Sequence, residues 1–234
     1  MRLGFIRFIK LLIASLFIQS SWSFFSMQAM GFLFTLYQAF PDRARRQEIF
    51  RAHKGFFNTH PYMASYVIGA VVRAYDRGER SDEIIKFISV AQTSFAAIGD
   101  QLFWQAVRPS LLLAAVVIGM KVGSGFTGPL LFLILYNLFH LGHRAFGLWE
   151  GYRRGRDVIY LLKARRITIP QQTAECLGAF CAGILPFLGL VGPRSFLIIP
   201  LTALFLYLLI RRYSPVLIIL IILVILSVSI IFMT

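Results

Sequence analysis

Two ionisable residues interrupt an apolar stretch near the middle of the chain. The stretch AAIGDQLFWQAVRP, residues 96–109, places Asp100 eight residues before Arg108 and leads directly into an apolar run. Ionisable groups inside a membrane are costly, so they usually face a cavity or a partner and indicate a function. Eight residues are about two helical turns, so we expect both side chains on nearly the same face of a helix. The alternative is that the two groups only satisfy each other or nearby backbone.

Two residues beside this pair shape the backbone that carries it. Gly99 has no side chain, so another backbone or a ligand can approach closely. Pro109 lacks a backbone N–H, so it ends or kinks a helix at this position. The stretch is therefore predicted to be a broken or re-entrant helix that carries a functional acid and base.

A second polar group lies at residues 58–61, Asn-Thr-His-Pro. Pro61 forces its predecessor out of helical geometry, so the sequence predicts a break between two helical pieces. Broken helices at membrane depth often form substrate sites in transporters. Asn58 and His60 could bind hydroxyl groups there, and the neighbouring aromatic rings could stack on a sugar. In the alternative interpretation, Asn58 and His60 only cap the broken ends.

A third polar group lies in the second half of the apolar segment 129–149. It consists of Asn137, His140, His143 and Arg144. His140 and Arg144 are four residues apart and share a helix face. No nearby cysteine or acidic pair completes a metal site with the two histidines. The sequence therefore favours helix–helix hydrogen bonds or a polar cavity wall over a metal site.

Composition sets the environment in which these residues work. Hydrophobic residues make up 58% of 234 positions and the mean hydropathy is +0.72, whereas soluble domains have roughly 45–50% apolar residues. The formal charge is +14. The basic residues lie in short runs between apolar segments, which is typical of cytoplasmic loops beside anionic lipid. The composition therefore indicates an integral membrane protein, and no motif supports nucleic-acid binding.

Recognisable catalytic motifs are absent from the sequence. It lacks a phosphate-binding glycine loop, a nucleophile elbow, a zinc-protease helix and a dinucleotide fingerprint. Cys176 and Cys181 have no second cluster that could complete a metal site. We therefore predict no catalytic residue, no metal and no cofactor in this chain, and a function in binding and moving a substrate in the membrane.

The order of apolar segments predicts an all-α, polytopic membrane protein in three parts. Residues 1–18 are expected to form an N-terminal amphipathic helix at the membrane interface, with a signal peptide as the competing interpretation. Residues 19–170 form a core with broken helices. Residues 171–234 form a C-terminal group of transmembrane anchor helices.

Local sequence signals add three expectations. A helix is predicted over residues 19–37, with Ser20 or Ser21 as its cap. Gly and Pro residues predict a loop over 123–129. The strongest basic cluster, residues 151–166, places that region in the cytoplasm and the C-terminus outside.

Four blocks of the sequence resemble a known family, and they occur in the family's order. The blocks are QSSWSFFSMQAMGFLF (19–34), FFNTHPYMASYVIG (56–69), AAIGDQLFWQAVRP (96–109) and GPLLFLILYNLFHLGHRAFGLWEGYRRG (128–155). They resemble the IID membrane subunit of mannose/fructose/sorbose-type sugar phosphotransferase systems. The resemblance covers residues 19–157 and argues against cleavage of a signal peptide near Ser21.

The resemblance implies a function in a bacterial inner membrane. A IID subunit pairs with a IIC subunit, commonly as a trimer of heterodimers, and the pair binds a hexose and carries it inward. Cytoplasmic IIA and IIB domains relay phosphoryl groups from phosphoenolpyruvate to the sugar, so the IID chain itself is not phosphorylated. The matching positions that would line the sugar path or its interface are Asn58, His60, Asp100, Trp104 and Arg108.

The sequence also departs from the family pattern. Tyr75 and Asp76 stand where a Glu-Glu pair is usual, Thr93 and Ser94 replace a Gly-Pro turn, and the segment 181–196 is shorter than the family's extracytoplasmic insertion. These departures motivate an alternative, a transport-deficient regulatory or scaffolding protein. In that alternative the basic surface within 153–166 would dock a cytoplasmic phosphotransferase domain or acidic lipid. An unrelated channel is a third, weaker hypothesis.

Overall fold

Eight α-helices, one π-helix and one 3-10 helix build the described part of the chain, which in this computed structural model comprises residues 3–123, 125–163 and 165–189. The α-helices are α1 (Phe5–Leu16), α2 (Ala29–Tyr37), α3 (Arg43–His53), α4 (Ala64–Asp76), α5 (Ser81–Gly99), α6 (Arg108–Val122), α7 (Thr127–Arg154) and α8 (Arg165–Gly189). The π-helix covers Asp100–Val107 and the 3-10 helix Gly155–Lys163. Apart from two isolated bridges at Met27, these ranges contain no strand pairing. The prediction of an all-α fold is confirmed.

The chain divides into two compact units, Met1–Ala179 and Phe180–Thr234. Of the second unit the structure describes only residues 180–189. The transmembrane helices that the sequence predicts after residue 196 lie outside the described residues, as do residues 190–196 of the shortened segment 181–196. All five candidate site residues lie in the first unit.

The N-terminal helix α1 packs into the first unit through one face. Leu11 and Ser15 on this face are fully buried. The Ser15 carbonyl accepts a 2.6 Å hydrogen bond from Nη1 of Arg144 in α7. Arg7 makes two hydrogen bonds, of 2.7 and 2.8 Å, to the carboxylate of Asp76 at the end of α4. The first turns of the chain are therefore tied to α4 and α7 by both polar and apolar contacts.

Helix α2 begins at Ala29, later than the predicted start near residue 19. Reciprocal backbone hydrogen bonds between Ser23 and Met27 close a turn before it, and Met27 has a positive φ of 52°. Ser20 and Ser21 precede this turn, so neither of them caps α2.

Helices α4 and α7 run parallel and form the most extensive helix contact in the described part of the chain. A Cβ atom added to Gly69 of α4 would lie 2.7 Å from the backbone nitrogen of Tyr152. One added to Gly151 of α7 would lie 3.1 Å from the nitrogen of Ala70 and closer still to the carbonyl oxygen of Tyr66. Small residues let helix backbones approach in this way. Because α4 is buried on nearly all sides, this contact is the centre of the unit.

Helix α5, the π-helix and α6 form one uninterrupted helix over Ser81–Val122. The helix does not end at Pro109, which is the second residue of α6. The backbone N–H of Arg108 bonds to the carbonyl of Phe103, five residues earlier. This change from i−4 to i−5 bonding just before the proline allows the helix to continue past it. Within the described residues it is the one helix long and apolar enough to cross a membrane.

Helices α6 and α7 form a hairpin with a short connection. Thr127 and Pro129 already belong to the first turn of α7, so the loop is shorter than the predicted 123–129. An apolar cavity of about 630 Å³ lies between the two helices. Phe126, Leu130 and Leu138 are more than half exposed along this hairpin. So large an apolar surface is suited to lipid or to another membrane chain.

Candidate functional site

The chain between α3 and α4 is not helical, as Pro61 predicts. Gln28, at the start of α2, holds this segment with a pair of hydrogen bonds. Its Nε2 donates to the Thr59 carbonyl at 2.8 Å, and its Oε1 accepts from the Thr59 N–H at 3.2 Å. Gln28 and Thr59 are both buried, so these bonds satisfy backbone groups that the broken helix leaves open.

A second glutamine, Gln92, ties the same segment to α5. Its Oε1 accepts from the Asn58 backbone N–H at 3.1 Å, and its carbonyl accepts from the Thr59 hydroxyl at 2.9 Å. The Asn58 side chain is exposed, and no described residue binds its amide. The structure therefore uses the backbone of Asn58 for support and leaves its side chain free.

His60 is buried, with 2% of its surface exposed, and its two ring nitrogens differ. Nδ1 accepts a 3.3 Å hydrogen bond from the Tyr62 N–H, whereas Nε2 is buried without a partner among the described residues. The His60 carbonyl accepts from the N–H groups of Met63 and Ala64, at 2.9 and 3.0 Å. The backbone of His60 thus supports the start of α4, while its imidazole packs elsewhere.

The imidazole of His60 packs into a group of aromatic rings on the π-helix. It stacks on Phe103 with ring centroids 5.0 Å apart and meets Trp104 edge-on at 4.9 Å. Gly99 makes this approach possible, because a Cβ there would collide with the His60 side chain and lie 2.8 Å from Cγ of Met63. The two polar motifs predicted from the sequence are therefore neighbours, and the group that approaches Gly99 is the His60 side chain and not the backbone or ligand that the sequence led us to expect.

The α7 histidines extend the same group of rings. His140 stacks on Tyr62 with centroids 4.5 Å apart, and His143 Nε2 lies 2.9 Å from the Tyr66 hydroxyl. The latter bond joins α7 to α4, as the sequence predicts for this polar group. Arg144 lies over the Tyr62 ring at 5.0 Å.

Asp100, Trp104 and Arg108 follow one another at intervals of four along the π-helix and the start of α6. Asp100 is partly buried, Trp104 is 49% exposed and Arg108 is exposed. No ion pair joins Asp100 to Arg108 in the described structure. Asp100 and Arg108 therefore do not satisfy each other in the described structure.

The candidate residues thus differ in whether they pack inside the fold or lie at its surface. His60 is buried and contacts Trp104, whereas Asn58, Trp104 and Arg108 present an amide, an indole and a guanidinium at the surface. Asp100 is half-buried and belongs to neither group. The exposed groups can hydrogen-bond and stack with a polar ligand or with a neighbouring chain. The apolar cavity between α6 and α7 is lined by none of the five.

Sequence reasoning missed the residues that hold this region together. Gln28, Gln92 and Phe103 make the contacts that position Asn58 and His60. The two glutamines carried a usable signal, because each is an isolated amide within an apolar helix-forming stretch. Nothing in the sequence distinguishes Phe103, because it is one of 23 phenylalanines in the chain.

Comparison with known sequences identifies the same family as the four blocks. A family profile described as "PTS system mannose/fructose/sorbose family IID component" matches residues 6–187. The mannose-specific EIID component of Escherichia coli K12 is 35% identical over 178 residues, which are 71% of this chain and 62% of that protein. The fructose permease IID component of Bacillus subtilis 168 is 30% identical, over 75% of this chain and 66% of that protein. The chain thus spans less than two thirds of the length of these relatives.

Solved structures agree with the sequence comparison. A cryo-electron microscopy structure of the mannose transporter ManYZ with microcin E492 contains a chain that is 26% identical, with a TM-score of 0.60. That match covers 97% of this chain and 96% of the ManYZ chain. A structure described only as a membrane protein reaches a TM-score of 0.71 at 25% identity, over 98% of this chain and 97% of its own. This chain is an all-α membrane protein that belongs to the mannose/fructose/sorbose family of PTS IID components.

Proposed function

We propose that this chain is a membrane subunit of a phosphoenolpyruvate-dependent sugar phosphotransferase permease. With a IIC partner it binds and translocates a hexose of the mannose/fructose/sorbose class, which a IIB partner phosphorylates. The observation that supports this most is the family match over residues 6–187, which contains all five candidate residues. The proposal extends to cytoplasmic IIA and IIB domains, to a trimer of IIC–IID heterodimers, and to a multi-pass location in a bacterial inner membrane.

In this proposal the exposed residues of the π-helix region face the IIC partner or the sugar path. Asn58, Trp104 and Arg108 are exposed in the isolated chain. Asn58 is carried on backbone that Gln28 and Gln92 hold in place. Asp100 lies one turn before Trp104 and is partly desolvated. Together these residues offer a carboxylate, an amide, a guanidinium and an indole, which are the donors, acceptors and flat apolar face that a sugar requires.

The test is sugar uptake by cells that express this chain with its IIC, IIB and IIA partners. Asp100→Asn and Asn58→Ala are each expected to lower uptake at least about tenfold, because each removes a polar contact of about 1.4 kcal/mol or more. Asp82→Asn is the matched control, since Asp82 is an exposed acid paired only with exposed Arg80. Normal uptake by both variants, at equal amounts of inserted protein, would exclude this residue assignment.

A second candidate function has an observation in its favour. Tyr75 and Asp76, which replace the usual Glu-Glu pair, are committed to internal contacts. The Tyr75 hydroxyl lies 2.7 Å from His53 Nε2, and burial lowers the pKa of His53 to about 4 and keeps it neutral. Asp76 is paired with Arg7. Neither position offers a free carboxylate, which is compatible with a IID-like regulatory or scaffolding protein that docks cytoplasmic phosphotransferase components.

Hexose binding by the purified chain, co-expressed with its IIC partner, separates the two candidates. Titration with mannose, fructose and N-acetylated amino sugars should give saturable binding that is lost in Asp100→Asn. A stable complex that binds none of these sugars would instead support the regulatory or scaffolding function.

A further inference from the structure

A basic pocket of about 580 Å³ opens where the C-terminal ends of α4 and α7 meet the start of α1. It is lined by Leu3, Arg73, Asp76, Arg77, Trp149, Tyr152 and Arg153. None of these residues belongs to the candidate sugar site. The pocket combines charged groups with an apolar wall formed by a leucine and a tryptophan.

The acids in and beside this pocket are already neutralised. Asp76 pairs with Arg7 and accepts a 2.8 Å hydrogen bond from the Tyr152 hydroxyl. Glu150, whose side chain is fully buried, pairs with both Arg153 and Arg154.

Two arginines of the pocket have no acidic partner among the described residues. Arg77 is exposed, and Arg73 donates only to the carbonyl of Tyr152, at 3.2 Å. The net charge of the pocket is therefore positive, and both guanidiniums retain N–H donors that suit a phosphate group.

The exposed side chains of α7 place this pocket at a membrane surface. Leu130, Leu138 and Leu141 are exposed along the helix before its last turns, and Trp149 follows at 49% exposure. The guanidinium of Arg153 then lies 4.9 Å from the centre of the Trp149 ring. Apolar residues followed by a tryptophan and then by a basic residue are typical of a helix that passes from the membrane interior to the cytoplasmic headgroups. Phe5 and Ile6, which are more than 70% exposed, lie in the chain between the pocket residue Leu3 and Arg7, the partner of Asp76. We call these two exposed side chains the apolar rim.

We propose that this pocket binds the phosphate of an anionic phospholipid headgroup. Arg73 and Arg77 donate hydrogen bonds to the phosphate oxygens, while Trp149 and Leu3 contact the glycerol and the first methylene groups. The apolar rim at Phe5 and Ile6 favours lipid over an acidic protein segment, because a soluble partner would leave these side chains in water.

The test measures phospholipid retention by the full-length protein in native mass spectrometry and its binding to nanodiscs. The probes are phosphatidylglycerol, phosphatidylcholine as the zwitterionic lipid, and inorganic phosphate. The wild type should prefer phosphatidylglycerol over phosphatidylcholine. Arg73→Gln/Arg77→Gln is expected to weaken that preference by about tenfold or more, since each basic residue near an anionic headgroup contributes about 1 kcal/mol.

Lys121→Gln is the control, because it removes one exposed positive charge near the opposite end of α7 from the pocket. It should leave the preference unchanged. If the double variant is poorly folded, Arg77→Gln alone serves, since Arg77 is exposed and unpaired in the described structure. An undiminished preference in a folded variant would overturn the proposal. Equal affinity for inorganic phosphate, or binding of an acidic peptide with no lipid preference, would also overturn it.

Discussion

Two contacts in the molecule are stabilised in opposite ways. The first joins α4 to α7, and the second joins residues 56–60 to the π-helix. The first is made by backbones in close approach, with Gly69 and Gly151 at the crossing. The second is made by ring contacts of His60, while the side chains of Gln28 and Gln92 hold the same segment against α2 and α5. The first region buries nearly all of α4, whereas the second leaves Asn58 and Arg108 exposed.

This difference separates residues that maintain the fold from residues available for binding. Where backbones touch, any added atom must displace a helix, so such positions are constrained by packing alone. Where side chains hold an irregular segment, neighbouring groups can stay polar and exposed without loss of stability. The candidate site occupies the second kind of region, and its support comes from Gln28 and Phe103, which are buried, and from Gln92, which is half-buried.

The largest effect on stability is expected from Gly151→Ala. The new Cβ would collide with the backbone of α4 at Tyr66 and Ala70, and overpacking of this kind costs about 3 kcal/mol. Denaturation of the purified protein in detergent measures the loss. Gly142→Ala is the matched control, because nothing lies within 4 Å of that position. Equal stability of the two variants would mean that α4 and α7 are not in backbone contact.

Gln28→Ala is expected to have an intermediate effect. It leaves the buried N–H and carbonyl of Thr59 without partners, which costs about 2 kcal/mol, and it frees the segment that carries Asn58 and His60. Sugar uptake should therefore fall together with stability. Gln19→Ala removes an exposed amide and should change neither property. A Gln28→Ala variant of wild-type stability would show that the irregular segment is held by other contacts.

Much of the fold could be predicted from sequence patterns that act locally. Apolar content identified the membrane class, and Pro61 identified the break before α4, because both depend on the residues themselves. The start of α2 at Ala29 could not be predicted in this way, since the turn before it depends on hydrogen bonds between Ser23 and Met27 and on pairing with Phe57.

The sequence predicted which residues form the candidate site better than it predicted how these residues are arranged in space. The motifs at residues 58–61 and 99–100 were each found from the sequence, but their contact at Gly99 and His60 is tertiary. The π-helix was also missed, because its i−5 bonding changes which residues share a face without changing the apolar pattern. The α4–α7 contact had an unused signal, since Gly147, Gly151 and Gly155 recur every four residues.

Arg108→Gln is expected to have the smallest effect on stability but a large effect on function. Arg108 is exposed and has no ion-pair partner among the described residues, so the unfolding free energy should change by less than about 0.5 kcal/mol. In the proposed function uptake should nevertheless fall, because the guanidinium that would bind the IIC partner or the sugar is lost. The same denaturation and uptake measurements apply, with Arg80→Gln as the control at an exposed arginine. A stability loss as large as that of Gln28→Ala would place Arg108 among the supporting residues. Unchanged uptake at wild-type stability would remove it from the site.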